Sequence, residues 1–323
     1  MWCCVQATRS NKSCADETHV VSLGAARAVQ PCARLRFTPP FDWDFFLIFH
    51  RARALPGVEQ IDGECYRRTV RCGDYVGRLQ VSLGDEHSLH ITLSPRDDAA
   101  LAAIIPRVRR AFDLDADLAP INAHLSQDPH LATLIARRPG LRVAGSVDGF
   151  EQAVRAILGQ QISVTAARNL GGRLAARWGT PLPDADGDDL RYVFPTPAML
   201  SDADIASLGM PGKRGQAVAL LGARVAAEPD ILERETSLDG SIAKLVALPG
   251  LGPWTAHYIA MRVLREPDAL PASDIGLLRA LTDAHGQRPT AAQLIARAQA
   301  WRPWRAYAAQ HLWAADAVPM PAL

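Results

Sequence analysis

No cysteine follows Cys72 in this chain of 323 residues. The six present are Cys3, Cys4, Cys14, Cys32, Cys65 and Cys72, so everything beyond is closed to disulfides and to a cysteine-held zinc or iron–sulfur cluster. The Cys3-Cys4 pair with Cys14 and Cys32 fits no common zinc spacing, and no histidine joins it in a ligand-like arrangement. A run of about 18 apolar residues is also missing, so no membrane span is expected. Residues 1–35 lack the apolar stretch of a secretory signal; they read as a disordered extension, a remnant of a fused module or the product of an upstream start site, and a reducing cytoplasm is the expected location. Charge of one sign is lacking as well: 35 basic against 34 acidic residues leave a net charge of +1. A polyanionic partner would therefore need locally concentrated positive groups, for which Arg137, Arg138 and Arg142, Lys213 and Arg214, and Arg302 and Arg305 are candidates.

What is present describes a globular protein of two or three domains, with 48% hydrophobic and 21% charged residues. Phe45 to Ala54 reads as a helix. Leu79, Val81 and Leu83, then Leu89, Ile91 and Leu93, alternate strictly about Gly84-Asp85-Glu86, which predicts a β-hairpin. Asp97 to Phe112 returns to helix, with a kink expected at Pro106. After Asp113 the pattern is almost wholly helical. Asp148 and Glu151 have capping-box spacing before the face Phe150, Val154, Ile157 and Leu158; Gly159-Gln160-Gln161 ends that helix, and Ser163 to Trp178 forms the next. Pro181 to Asp189 reads as a polar loop, and Thr196-Pro197 as a cap and first residue of another helix.

Leu248 to Asp274 carries the most information. Ser241 to Leu248 has apolar residues at helical spacing, Pro249-Gly250 stops it, and a second helix starts with Gly252 as cap and Pro253 at its first position. Two glycines in this short turn allow close approach of a phosphate, and the N–H groups around Trp254, Thr255 and Ala256 favour an anion. A helix from Pro253 to about Arg265 rises roughly 18–20 Å, and Glu266 to Ser273 span roughly 26 Å when extended. Asp274 can therefore return to the hairpin, at the start of the apolar run Ile275 to Leu281. By itself such an Asp is a helix cap, and Asp274 fits that description too.

The segment resembles the helix-hairpin-helix and catalytic Asp of base-excision DNA glycosylases. Further stretches narrow the resemblance to the DNA-3-methyladenine glycosylase II, or AlkA, family: residues 37–54, 90–94, 138–164, 208–214 and 301–313, in the family's order, within a match over about 36–316. That resemblance implies an α+β protein: a TATA-binding-protein-like antiparallel sheet domain over 36–117, a helical domain over 144–261 with the wedge turn and hairpin, and a second helical domain over 118–143 and 262–323 with the catalytic Asp.

It also implies roles. Asp274 would be catalytic, needing no metal or other cofactor; Phe49, Trp254, Tyr258 and Trp313 would form the base pocket, recognising a cationic base through aromatic faces; Gln161, Gly250, Gly252 and Thr255 would contact DNA, with Gln161 as the wedge where the best-known form has an apolar residue. Ile275 departs from the aromatic residue common after the catalytic Asp. Trp254 stands where strand-cleaving relatives carry a Schiff-base Lys, and the cysteines that hold an iron–sulfur cluster in some relatives are missing. The expectation is a monofunctional glycosylase that flips alkylated bases out of double-stranded DNA and leaves an abasic site, a monomer without membrane contact that associates with the nucleoid when bound. The alternatives are a bifunctional 8-oxoguanine-type glycosylase and a non-enzymatic lesion-binding protein.

Overall fold

The computed structural model describes residues 32–183 and 188–317. Its first layer is a five-stranded antiparallel sheet in the order β1-β5-β4-β3-β2, with β1 Ala33–Arg36, β2 Glu59–Asp62, β3 Cys65–Cys72, β4 Tyr75–Leu83 and β5 Ser88–Ser94. Strands β4 and β5 are the expected hairpin: Leu79 faces Leu93, Val81 faces Ile91 and Leu83 faces Leu89. All of these but Leu83 are buried, because inward positions of a one-sided sheet recur every second residue. Helices α1, Trp43–Arg53, and α2, Asp98–Phe112, cover that face, and Trp43, Phe46, Ile104 and Phe112 join the sheet's side chains in one core. Helix α2 continues through Pro106 as one element. Residues 33–35, expected in the extension, instead pair with β5 as the edge strand β1, and Cys32 N donates to Ile91 O at 2.7 Å; residues 1–31 of that extension lie outside the described residues.

The remainder is helical. Helices α3 Leu118–Leu125, α4 Pro129–Arg137, α5 Gly149–Leu158 and α6 Val164–Trp178 come first. The two-residue strands β6 Thr180–Pro181 and β7 Tyr192–Val193 pair on either side of the expected polar loop, whose described residues 182–183 and 188–189 form neither helix nor strand. Then follow α7 Pro197–Ser201, α8 Gly212–Ala227, α9 Leu238–Val246, α10 Pro253–Ile259, α11 Ile275–Ala280, α12 Ala291–Arg297 and α13 Arg305–Ala317. Helix α10 runs on as a π-helical turn, Ala260–Leu264. Buried side chains from 118–143, from 144–261 and from the C-terminal region, such as Leu131, Ile157 and Leu312, belong to one continuous apolar core.

Two local expectations change. Thr196 precedes α7 but its hydroxyl makes no capping bond. Asp148 caps α5 by accepting from Glu151 N, yet the Glu151 side chain does not turn back to complete the box. It is fully buried and pairs with Arg68 of β3 at 2.5 Å and with Arg155 at 3.0 Å, while Glu59 takes Arg155 at 2.6 Å and the Tyr66 hydroxyl at 2.6 Å. This buried network fastens the sheet to α5. Burial alone would raise the Glu59 carboxyl, but Arg155 and Arg68 hold it at about 2. Removing one partner would strand a buried charge, typically about 3–5 kcal/mol.

Candidate active site

Helix α9 ends at Val246, and the turn to α10 anchors itself with buried Leu248 and Leu251. Gly250 between them has φ +83°, and a β-carbon there would collide with that of Ala217 on α8, so only glycine fits. Gly252 caps α10 with Pro253 behind it, and nothing lies within 4 Å of where its β-carbon would be. The turn is thus packed on one side and open on the other. The first-turn N–H groups of α10 have no carbonyl one turn back within the helix.

The side chain of Thr255 is turned inward. It is 2% exposed, and its hydroxyl accepts from the Gln160 side chain at 3.0 Å. Gln160 Nε2 also donates to Gly250 O at 3.0 Å, and Arg214 donates to Gln160 O at 2.6 Å. The turn after α5 is therefore tied to the hairpin. Next to this tie Gln161 is exposed, with φ +57°, a left-handed conformation uncommon for a residue with a β-carbon.

Asp274 caps α11, as the reading of an isolated Asp foresaw, and it does more. Its Oδ1 accepts from Gly276 N at 2.9 Å, Leu277 N at 3.2 Å and Trp313 Nε1 at 2.8 Å, and its Oδ2 from Trp254 Nε1 at 2.9 Å. The half-buried carboxylate sits in a cleft of about 980 Å³ whose lining also includes Phe49, Gln161, Tyr258 and Ile275. Ile275, 61% exposed, presents its side chain at the rim beside it.

The four aromatic residues expected in the pocket all line this cleft. Trp254 and Tyr258 stack at 5.3 Å and 12°, four residues apart on α10, and Trp313 of α13 meets Tyr258 edge-on at 6.0 Å. Sequence reasoning missed what holds them. The guanidinium of Arg262, 2% exposed, lies 5.0 Å from the Phe49 ring, 5.4 Å from Tyr258 and 5.2 Å from Trp313. It donates to Ala144 O and Gln310 Oε1, leaving its buried Nε without a partner. Burial lowers its pKa to about 10, against the raising influence of Tyr258. Arg53 lies 3.9 Å over Phe49. Burial pushes the Tyr258 hydroxyl upward, but Arg262, Arg53 and Arg155 together bring it below its ordinary value. A signal existed: Arg53 follows Phe49, and Arg262 follows Tyr258, by four residues, the spacing that brings side chains together on a helix.

Several of the expected surface cations are held by partners within the chain. Arg142 is 5% exposed and donates to the carbonyls of Thr38, Pro40, Asp113 and Ala116. Arg305 and Arg302 pair with Asp268, and Arg138 pairs with Asp42. Lys213, Arg137 and Arg302 are exposed. No helix among the described residues is long and apolar enough to cross a membrane.

Comparison with known proteins decides the family. The AlkA N-terminal domain family matches residues 32–148. DNA-3-methyladenine glycosylase 2 of Escherichia coli is 36% identical over 286 residues, 86% of this chain and 95% of that protein. The chain belongs to the AlkA family. A probable bifunctional transcriptional activator/DNA repair enzyme AlkA of Mycobacterium tuberculosis is 38% identical over 280 residues; the match takes in 87% of this chain but only 56% of that relative's length. Among solved structures, 3-methyladenine DNA-glycosylase from Archaeoglobus fulgidus superposes with a TM-score of 0.76 at 19% identity, covering 88% of this chain and 98% of that one. The AlkA fold, an antiparallel sheet domain followed by helices, is the one expected from the sequence.

Proposed function

We propose that this chain is a monofunctional DNA glycosylase that hydrolyses the N-glycosidic bond of alkylated bases, 3-methyladenine and 7-methylguanine among them, and leaves an abasic site in base-excision repair. The carrying observation is Asp274: one carboxylate, fixed by four N–H donors, inside an aromatic-walled cleft beside a Gly-rich hairpin.

The hairpin around Gly250 and Gly252 takes hold of a backbone phosphate of double-stranded DNA through the open side of the turn. The damaged nucleotide leaves the stack, Gln161 fills the space, and the base enters between Trp254, Tyr258 and the neighbouring rings. As the bond to the base stretches, positive charge grows on the sugar. Asp274 stabilises that charge from a site with little water and orients the attacking water.

A lyase would need an amine in reach of the sugar. Among the described residues the lysines are Lys213 and Lys244; neither lines the cleft, and Lys244 is occupied by Glu233 O and Glu235. Borohydride should therefore trap no covalent adduct with DNA.

The test is chromatography of bases released from methylated DNA by wild type and by Asp274→Asn. Asn is also a good helix cap, so the variant should fold and bind DNA while releasing no base. An active variant would refute the assignment.

A further inference from the structure

Arg53 stands inside the base pocket, and nothing in the chemistry above uses it. It lines the cleft one helical turn beyond Phe49, its guanidinium carbon lies over that ring at 3.9 Å, and its Nη1 donates to Phe49 O at 3.2 Å. Arg155, locked into the buried network by Glu59 and Glu151, donates to Arg53 O at 2.7 Å and so fixes the backbone that carries it. Arg262, with its unpartnered Nε, lies 5.0 Å from the same ring. The aromatic cage is thus already supplied with two cations of the protein's own.

That arrangement separates two kinds of substrate. A base alkylated to a cation departs as a neutral molecule, so a positive wall does nothing for its leaving and opposes its entry. A neutral base with a carbonyl on its ring departs carrying the electron pair of the broken bond, spread onto that oxygen. A fixed guanidinium is what such a leaving group lacks in water.

We propose that Arg53 is a specificity-determining residue that extends the pocket to neutral, carbonyl-bearing bases by stabilising the anion they leave as. The C1′–N9 bond breaks with its pair staying on the base, the water oxygen bonds to C1′, and the water's proton leaves to solvent, from which the base anion takes one on release. Arg53 contributes electrostatics alone and gives up no proton. Burial and Arg155 lower its pKa, Tyr258 and Asp274 oppose them, and the guanidinium keeps its charge at neutral pH.

This inference rests on the glycosylase reading, and one pair of substrates tests the two separately. Duplexes carrying a single hypoxanthine, a neutral 6-oxopurine, or a single 7-methylguanine, a cation, are compared under single turnover with wild type, Arg53→Met and Arg53→Lys. Arg53→Met keeps the apolar stem and should slow hypoxanthine release at least about tenfold more than it slows 7-methylguanine release. Arg53→Lys should fall between. Without the guanidinium, hypoxanthine release by Arg53→Met should also steepen toward low pH, where protonation of the base replaces it; 7-methylguanine release should not. Equal losses on both substrates would mark Arg53 as merely structural and overturn the proposal, as would a wild type inert toward hypoxanthine. A wild type inert toward 7-methylguanine would instead sink the glycosylase reading.

Discussion

The indole N–H of Trp254, in the first turn of α10, donates to Oδ2 of Asp274, the residue that caps α11, at 2.9 Å. One residue thereby serves as a wall of the pocket and as an orienting partner of the carboxylate. Trp254→Phe keeps most of the ring and removes the donor. A hydrogen bond to a charged group contributes about 1.5–3 kcal/mol, so single-turnover base release should fall about 10- to 100-fold with DNA affinity little changed. A rate within twofold of wild type would show that the bond does not matter.

Gln160 joins the turn after α5 to the hairpin through Gly250 O and Thr255 Oγ1. Gln160→Ala should cost about 1–2 kcal/mol of stability. Base release from a well-paired duplex should slow more than release from a mismatched one, where less work is needed to extrude the base. Gln160→Glu should be worse, because a carboxylate cannot donate to Gly250 O. Parallel losses on both duplexes would deny Gln160 any part in opening DNA.

Asp128 caps α4 and also accepts from Arg297 and from Trp301 Nε1 at 2.9 Å. Burial opposes its charge, yet Arg297 and Trp301 hold its pKa down to about 2. Its contribution is present above its ordinary value of 3.8 and is lost as pH falls through about 2. Asp128→Ala should destabilise the protein by about 3 kcal/mol, the sum of a lost cap and lost charged hydrogen bonds. Urea denaturation at neutral pH measures it.

Three histidines should make the fold acid-sensitive well before its carboxylates do. Burial lowers His50 to about 3 and His257 and His311 to about 4, from an ordinary 6.5. His257 Nδ1 accepts from Leu270 N, which requires the neutral ring. The unfolded chain takes up protons below about 6.5 and the native one does not, so stability is complete above that pH and declines as pH falls toward 4. Each site adds at most about 1.4 kcal/mol per pH unit. Denaturation midpoints at pH 7.5 and pH 5 should differ clearly, and His311→Gln should flatten the difference. Equal midpoints would contradict the burial argument.

The parts of the site legible in the sequence were those with a local signature. Pro249-Gly250 and Gly252-Pro253 announce a helix stop and start, and the hairpin strands announce themselves by strict alternation. Strand β3 was not legible, because Arg68 sits at an inward position among Tyr66 and Val70, and its partners Glu59 and Glu151 come from β2 and α5. Arg142 misled for the same reason: a basic residue near other basic residues looks like surface until the chain folds four carbonyls around it. Long-range charge burial leaves no periodic mark. The aromatic residues were found by resemblance, whereas Arg53 and Arg262 required the tertiary structure to show that they stand among those rings.

The two oxygens of Asp274 are unequally employed: three donors converge on Oδ1 and a single indole on Oδ2. Only Oδ2 keeps lone pairs to offer a sugar. An amide in its place has no choice of orientation, since an NH₂ cannot face three N–H groups. The Asn variant must therefore turn its nitrogen outward, toward both the Trp254 N–H and the site of growing positive charge. It replaces the one available acceptor with a donor, so the substitution that best preserves the helix start is also the one that most fully reverses the polarity of the reacting face.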